Sequence, residues 1–310
     1  MNADTLVDEV IRSDAFKGFG PLLFPAPPGE KERRLTLAQI APLFPRHSHI
    51  DTDDTLLALN FLIKLHKHDV HTFYDLYPAR EKRRNAAKAK TGLFYFRGIL
   101  GAPFAIIVPG CGDYVATLHE GLPCAIELLR PGFNAFVLHY RPGKLELICE
   151  DLARAISFVF AHAEELGVAT EGYALWGSSA GASAAAYLGS YGPRAFGGDD
   201  LPRPSALVIQ YASHSNHTRR EPPTFACAGA DDSPELLRAM RKRIETISAC
   251  GIDTEYHEYA DVGNGFGLGR DTAAAGWEQS AMAFWKRHLP PDVRRLLRRR
   301  PAIRLLNRKV

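Results

Sequence analysis

Apolar segments with strand-like and helix-like spacing alternate along the chain from residue 92 onward. Residues 104–108 are apolar at every position, which is typical of a strand buried on both faces of a sheet. Alternation of strands and helices implies right-handed crossovers, so we predict an α/β fold with a doubly wound, mostly parallel sheet. The predicted strands cover residues 93–97, 104–108, 135–138, 173–176, 206–209, 224–228 and 254–259, and the predicted helices cover 119–130, 149–166, 234–249 and 272–287.

The first 90 residues have a different pattern of short helices and loops. We predict a helical N-terminal extension at 1–90 that packs on or caps the core, an α/β domain at 91–288 and a basic tail at 289–310. The charged run at 80–90 is expected to be an exposed linker. Because only a short loop fits between the strands near 211 and 224, any lid over the domain must come largely from the N-terminal segment.

The segment Gly177-Ser178-Ser179-Ala180-Gly181 stands between a predicted strand and an alanine-rich helix. This G-x-S-x-G pattern in a strand-turn-helix context is typical of a nucleophile elbow. Such a tight turn requires small residues two positions before and two after the serine, and Gly177 and Gly181 satisfy this requirement. We therefore expect the Ser179 hydroxyl above the sheet and the Ala180 N–H at a helix N-terminus, where it stabilises developing negative charge.

The carboxyl ends of the neighbouring strands carry the other candidate groups. After residue 108, small residues around Cys111 and Gly112 allow backbone N–H groups to turn toward the serine as an oxyanion hole. After residue 228, Asp232 offers a carboxylate. A serine nucleophile with a carboxylate also needs a histidine to complete a catalytic triad. After residue 259, where this histidine is needed, the chain has Asn264.

Together these motifs resemble the α/β-hydrolase superfamily, and in particular its bacterial acetyl-esterase/lipase-like branch. The segments that carry the resemblance are 109–112, 119–123, 133–141, 176–181 and 265–269. The resemblance implies Ser179 as the nucleophile, Asp232 as the triad acid, and oxyanion donors at Cys111, Gly112 and Ala180. It also implies an acyl-serine intermediate and no cofactor. Tyr114 and Glu120 are candidate substrate contacts, with charge pairing at a helix N-terminus as the alternative role of Glu120.

Two positions depart from the family pattern. The family has glycine where this chain has Cys111, so a side chain restricts the backbone of the oxyanion loop. The family also has its catalytic histidine at the position of Asn264, and an amide cannot accept the serine proton. We therefore expect a carboxylic ester hydrolase impaired by Asn264, with a catalytically silent ligand- or partner-binding protein as the alternative. The histidines considered as substitutes for the missing base are His119, His214 and His217.

Composition and charge add expectations about location and partners. No run of eighteen apolar residues exists and the start of the chain carries acid, so we expect a cytoplasmic protein that acts on a small-molecule ester. The net charge is +3, but residues 286–310 hold ten Lys and Arg against Asp292 alone. We expect this tail to lie on the body and to contact anionic surfaces weakly, without binding nucleic acid.

Two further patterns concern metal and redox chemistry. His66, His68 and His71 are close together in the sequence, but their spacing does not bring them to one helical face, so we expect no metal site there. The five cysteines are scattered without paired spacing, so we expect free, buried thiols.

Overall fold

The computed structural model describes residues 1–25, 28–110 and 112–298. The strands that it describes form one sheet in the order β1-β2-β4-β3-β5-β6-β7-β8, in which β3 to β8 run parallel and β1 and β2 are antiparallel to their neighbours. The strands are β1 (Phe73–Tyr74), β2 (Gly92–Phe96), β3 (Pro103–Val108), β4 (Asn134–His139), β5 (Ala169–Ser178), β6 (Ala206–Gln210), β7 (Thr224–Gly229) and β8 (Thr254–Tyr259).

Helices cover both faces of this sheet, and short 3-10 turns connect much of the N-terminal segment. The α-helices are α1 (Val7–Arg12), α2 (Thr52–Lys67), α3 (Ala79–Arg84), α4 (Leu122–Leu129), α5 (Leu145–Ala161), α6 (Ala163–Leu166), α7 (Ser179–Tyr191), α8 (Pro234–Ala249), α9 (Trp277–Arg287) and α10 (Pro291–Arg298). A single π-helical turn, Thr117–Gly121, leads into α4.

A separate apolar core packs against each face of the sheet. In β3, Ala105 and Ile107 belong to one core while Ile106 and Val108 belong to the other, because successive side chains of a strand point to opposite faces. Helices α5, α7 and α8 cover the second face. Helices α2, α4 and α9 cover the first face, together with the N-terminal segment. The predicted doubly wound, mostly parallel α/β fold is therefore confirmed.

Residues before 91 are built into the first core. The Phe19 ring lies 5.2 Å from those of both Phe73 and Phe94, and the Phe61 ring lies 6.0 Å from that of Phe96. This segment also contributes β1, an edge strand that the sequence analysis did not predict. The segment and the sheet consequently share one buried interior.

Several boundaries differ from the prediction for local reasons. The helix predicted at 272–287 begins only at Trp277, because the residues before it form turns around Thr272 and Gly276, which has a φ of +86°. Part of the charged run expected to be a linker is helix α3. It is held by an ion pair of 2.6 Å between Lys88 Nζ and Glu81 Oε2.

The C-terminal region and the cysteines also bear on the expectations above. Val293 and Leu297 of α10 are buried in the first core, while the rest of the basic tail, 299–310, lies outside the described residues.

Cys124, Cys149 and Cys227 are free and buried, but Cys250 is exposed because it follows the end of α8 at the surface. In the part of the chain that the structure describes, no helix has the length and apolar character needed to span a bilayer.

Burial of His139 makes the stability of this fold depend on pH. His139 ends β4 with its Nδ1 atom 2.8 Å from Thr117 Oγ1, and burial lowers its pKa from 6.5 to about 4. Burial favours neutral His139 in the folded state. The contribution of His139 to the free energy of unfolding is therefore complete above pH 6.5 and is lost as the pH falls toward 4. We expect the free energy of unfolding to fall by about 2 kcal/mol between pH 7 and pH 5 on account of this side chain.

Urea unfolding at the two pH values checks this expectation. His139→Gln should lose less stability on acidification than the wild type, whereas His162→Gln, at an exposed histidine, should behave as the wild type does. An unchanged pH dependence in His139→Gln would contradict the assignment.

Candidate active site

Ser179 is the first residue of α7 and follows directly on the last residue of β5. Its φ of +51° lies in the left-handed region that a residue with a side chain rarely adopts. A Cβ atom at Gly177 would lie 2.5 Å from the carbonyl oxygen of Gly181, and one at Gly181 would overlap the carbonyl oxygen of Val108. The turn is therefore strained and free of side chains on both sides, and strain of this kind is concentrated at functional sites.

The loop after β3 lies against this turn. A Cβ atom at Gly112 would lie 3.4 Å from that of Ala180, and Gly112 has a φ of +71°. The N–H of Gly110 donates to Glu120 Oε2 at 2.5 Å, so this group is already committed within the protein. Cys111, one of the predicted oxyanion donors, lies outside the described residues.

Asp232 and Asn264 meet beside the serine. The Nδ2 atom of Asn264 lies 3.2 Å from Asp232 Oδ1 and 3.1 Å from Oδ2, and it donates to this carboxylate. Burial raises the pKa of Asp232, while the hydrogen bonds from Asn264 and from the N–H of Ser233 oppose the rise. Asn264 thus satisfies the carboxylate as a donor but offers it no group that can carry a proton.

A cavity of about 350 Å³ brings four of the predicted residues together. Its walls include Ser179, Asp232 and Asn264 from the carboxyl ends of the parallel strands, and also Glu120. The described residues that line it are Arg46, His47, Glu120, Ser179, Asp232, Ser233, Leu236 and Asn264. Tyr114 is not among these residues, and its hydroxyl group lies 3.1 Å from Nδ1 of His47.

The three histidines considered as substitutes lie elsewhere. His119 is buried with Nε2 3.3 Å from the carbonyl oxygen of Gly265, and burial lowers its pKa to about 4. His214 is buried beside the Tyr187 ring, and burial likewise lowers its pKa to about 4. His217 is exposed on the loop after β6. The described lining of the cavity includes none of the three.

Among the lining residues that the sequence analysis missed, Arg46 and His47 come from the N-terminal segment. They lie in the irregular segment before α2, where neither periodicity nor a motif distinguishes them. Arg46 pairs with Asp113 at 3.1 Å, and both side chains are exposed. The His47 side chain is only 2% exposed, and its Nε2 atom lies 3.0 Å from Glu120 Oε1. The N-terminal segment thus forms one wall of the cavity.

Glu120 is a fully buried carboxylate with three donors. Besides the N–H of Gly110, it accepts from the Tyr211 hydroxyl at 2.8 Å and faces Nε2 of His47. Burial alone raises its pKa, but the hydrogen bonds from His47 and the Gly110 N–H, together with the electrostatic effects of His47 and His119, hold the pKa below its usual value. Glu120 is therefore ionised at neutral pH and joins three separate segments of the chain.

Metal binding was considered for His66, His68 and His71. Across residues 1–25, 28–110 and 112–298, no group of three or more His, Cys, Asp or Glu side chains is placed to hold a metal ion.

Comparison with solved structures identifies the fold. No family model matches the sequence, and no relative is found among curated proteins. An acetyl ester-xyloside bifunctional hydrolase from Caldicellulosiruptor lactoaceticus matches with a TM-score of 0.58 at 20% identity, over 70% of this chain and 96% of the other. MGS-M1, an α/β hydrolase enzyme from a Medee basin deep-sea metagenome library, matches with a TM-score of 0.56 at 21% identity, over 64% and 92%.

A carboxylesterase from Lactobacillus plantarum gives a similar result, with a TM-score of 0.54 at 18% identity, over 64% of this chain and 94% of the other. At these identities the likeness concerns the fold. The chain therefore has the α/β-hydrolase fold, as the resemblance of its motifs implied, and its structural neighbours carry the names of esterases and hydrolases.

The crowding at the elbow predicts a large effect of one methyl group. Gly181→Ala should lower the free energy of unfolding by about 3 kcal/mol or more, because the new Cβ atom meets backbone atoms of Val108 and Pro109 that cannot move aside cheaply. Urea unfolding measures the change. Gly189→Ala in the same helix is the control, since its Cβ atom would meet side-chain atoms alone, the nearest in the Pro222 ring at 3.2 Å, and helix propensity favours alanine by about 1 kcal/mol. Equal stability of the two variants would contradict this account.

Proposed function

We propose that this protein is a serine hydrolase of the carboxylic ester class that acts on a small acyl ester. The observation that carries the proposal is the strained turn at Ser179, whose φ is +51°, in the wall of a cavity that also contains Asp232. Strain at a half-buried serine in a cavity wall has no evident structural benefit, and it is the arrangement by which this fold presents a nucleophile. The esterase and hydrolase names of the structural neighbours support this class of reaction.

In the proposed reaction, Ser179 Oγ attacks the ester carbonyl carbon and an acyl-serine forms. The N–H of Ala180, at the N-terminus of α7, stabilises the negative charge on the carbonyl oxygen, together with N–H groups of the loop at Cys111 and Gly112. The alcohol leaves, and water then releases the acid by the same route. This chemistry requires no cofactor.

The cavity favours a small substrate. Its volume of about 350 Å³ is at the lower end of the range for ligand pockets. Arg46, Glu120, Asp232 and Asn264 make much of its lining polar, which suits a short acyl group better than a long aliphatic chain.

A catalytically silent ligand-binding protein is the second candidate. The bond from Asn264 to Asp232 favours it, because an amide, which cannot take up a proton, occupies the position from which the family histidine acts. General-base catalysis contributes about 10²–10⁴ in rate, so its loss without replacement would leave little activity.

Hydrolysis of p-nitrophenyl acetate separates the two candidates. We expect the wild-type protein to hydrolyse this ester and Ser179→Ala to lower kcat at least about 100-fold, because both the nucleophile and the acyl intermediate are lost. A fluorophosphonate should label the wild type at Ser179, as located by mass spectrometry of its peptides.

Ser183→Ala is the matched control, because Ser183 lies one turn further along α7 and its hydroxyl only donates to the Ser179 carbonyl oxygen at 3.4 Å. It should keep wild-type activity and labelling. A wild-type protein that neither hydrolyses the ester nor reacts with the phosphonate would favour the silent candidate, and activity that survives in Ser179→Ala would refute the proposed nucleophile.

A further inference from the structure

The cavity at Ser179 contains a histidine that belongs to no recognised motif. His47 is the histidine among the described residues that line this cavity, together with Ser179, Asp232 and Asn264. It reaches the site from a segment that precedes Asn264 by more than 200 positions. The site therefore lacks an imidazole at residue 264 but has one in another of its walls.

The hydrogen bonds of His47 define its protonation pattern. A carboxylate can only accept, so the contact of 3.0 Å between His47 Nε2 and Glu120 Oε1 requires the hydrogen on Nε2. In the neutral ring the lone pair is then on Nδ1, which accepts from the Tyr114 hydroxyl at 3.1 Å. A buried carboxylate that fixes the tautomer and leaves the other nitrogen basic is the arrangement by which acid and histidine cooperate in serine hydrolases.

Glu120 is suited to this role because its own position is fixed. The N–H of Gly110 and the Tyr211 hydroxyl hold its two oxygens from the sheet side while His47 approaches from the N-terminal segment. Its negative charge, buried from water, stabilises a positive imidazolium at His47 more strongly than a solvated carboxylate would.

His47 is also tied to the loop that carries Asn264. The N–H of Ser48 donates to the Asn264 carbonyl oxygen at 2.8 Å. A Cβ atom at Gly265 would lie 2.8 Å from the Cα atom and 2.9 Å from the Cδ2 atom of His47. On the other side, one Cβ atom built at Gly110 would lie 2.8 Å from Glu120 Oε2 and 3.0 Å from the Cβ atom of Ser179. His47 therefore contacts the loop at Asn264 and Gly265, while Glu120 and Ser179 both neighbour Gly110.

We propose that His47, oriented by Glu120, is the proton acceptor for Ser179 in place of a histidine at position 264. The inference rests on the proposed ester hydrolysis. As Ser179 Oγ bonds to the carbonyl carbon, its O–H bond breaks and the proton passes to Nδ1 of His47, which gives up its hydrogen bond with Tyr114. The imidazolium returns the proton to the departing alkoxide, and the neutral ring is restored.

Asn264 has a different role in this arrangement. Its side-chain amide donates to Asp232, and its backbone carbonyl oxygen accepts from the N–H of Ser48. Asn264 therefore fixes the wall of the cavity that contains His47. Asn264 and Asp232 are then positioning residues and take no part in the proton transfer.

Substitution of His47 tests the proposal with the full-length protein and p-nitrophenyl acetate. His47→Gln should lower kcat by about 10²–10⁴ with little change in KM, since a base acts in the transition state and not in substrate binding. Glu120→Gln should lower kcat in the same direction because the imidazolium loses its neighbouring charge. His214→Gln, at a buried histidine outside the cavity lining, is the control and should keep wild-type kcat.

Rescue distinguishes lost chemistry from lost structure. In the His47→Gln background, Asn264→His places an imidazole beside Asp232 and should recover at least about tenfold in kcat. A merely structural defect at residue 47 would not be repaired by a base at residue 264. If kcat falls in His47→Gln and the second substitution does not restore it, the role of His47 is structural and the inference is overturned.

The remaining outcomes separate this inference from the proposed function. A His47→Gln protein that keeps wild-type kcat while Ser179→Ala is inactive overturns the inference and leaves the ester hydrolase standing. A wild-type protein without esterase activity or phosphonate labelling overturns both.

Discussion

The close approach of the start of α7 to the end of β3 is the constraint on which the rest of the site depends. There is no room for a methyl group at Gly177 or Gly181, because backbone atoms already occupy the space that a Cβ atom would take. This contact forces Ser179 into left-handed backbone geometry and sets the loop after β3 beside Ala180. Packing on the second face of the sheet, where α7 buries a run of alanines, holds the turn in this strained state.

A single buried charge connects that turn with the remainder of the molecule. Glu120 receives hydrogen bonds from the loop after β3, from the residue after β6 and from the N-terminal segment. Burying a carboxylate costs free energy unless hydrogen-bond donors surround it. Moving any of these donors away would leave a carboxylate oxygen without a partner, so the donors are held in position. Glu120 therefore sets the relative positions of the sheet, the loop after β3 and the wall of the cavity.

The sequence predicts the parts of this architecture that are local. The elbow is readable because strand, small residues and helix are contiguous, and Asp232 and Asn264 are readable because each follows a recognisable strand. The part played by His47 is not readable, because its partner Glu120 is 73 residues away and the segment around residue 47 has no periodic pattern. Strand β1 has only two residues and was missed because its pairing with β2, rather than its own pattern, makes it a strand.

The N-terminal segment also determines where this protein can be divided. Solved structures with the same fold match about two thirds of this chain, and a fragment beginning near residue 91 would contain strands β2 to β8. Such a fragment would lose the aromatic side chains of Phe19 and Phe61 that cover Phe94 and Phe96. It would also expose the edge of β2, which β1 now pairs. Uncovered apolar rings beside an open strand edge favour aggregation, so residues 1–90 cover surface that the rest of the chain would otherwise expose.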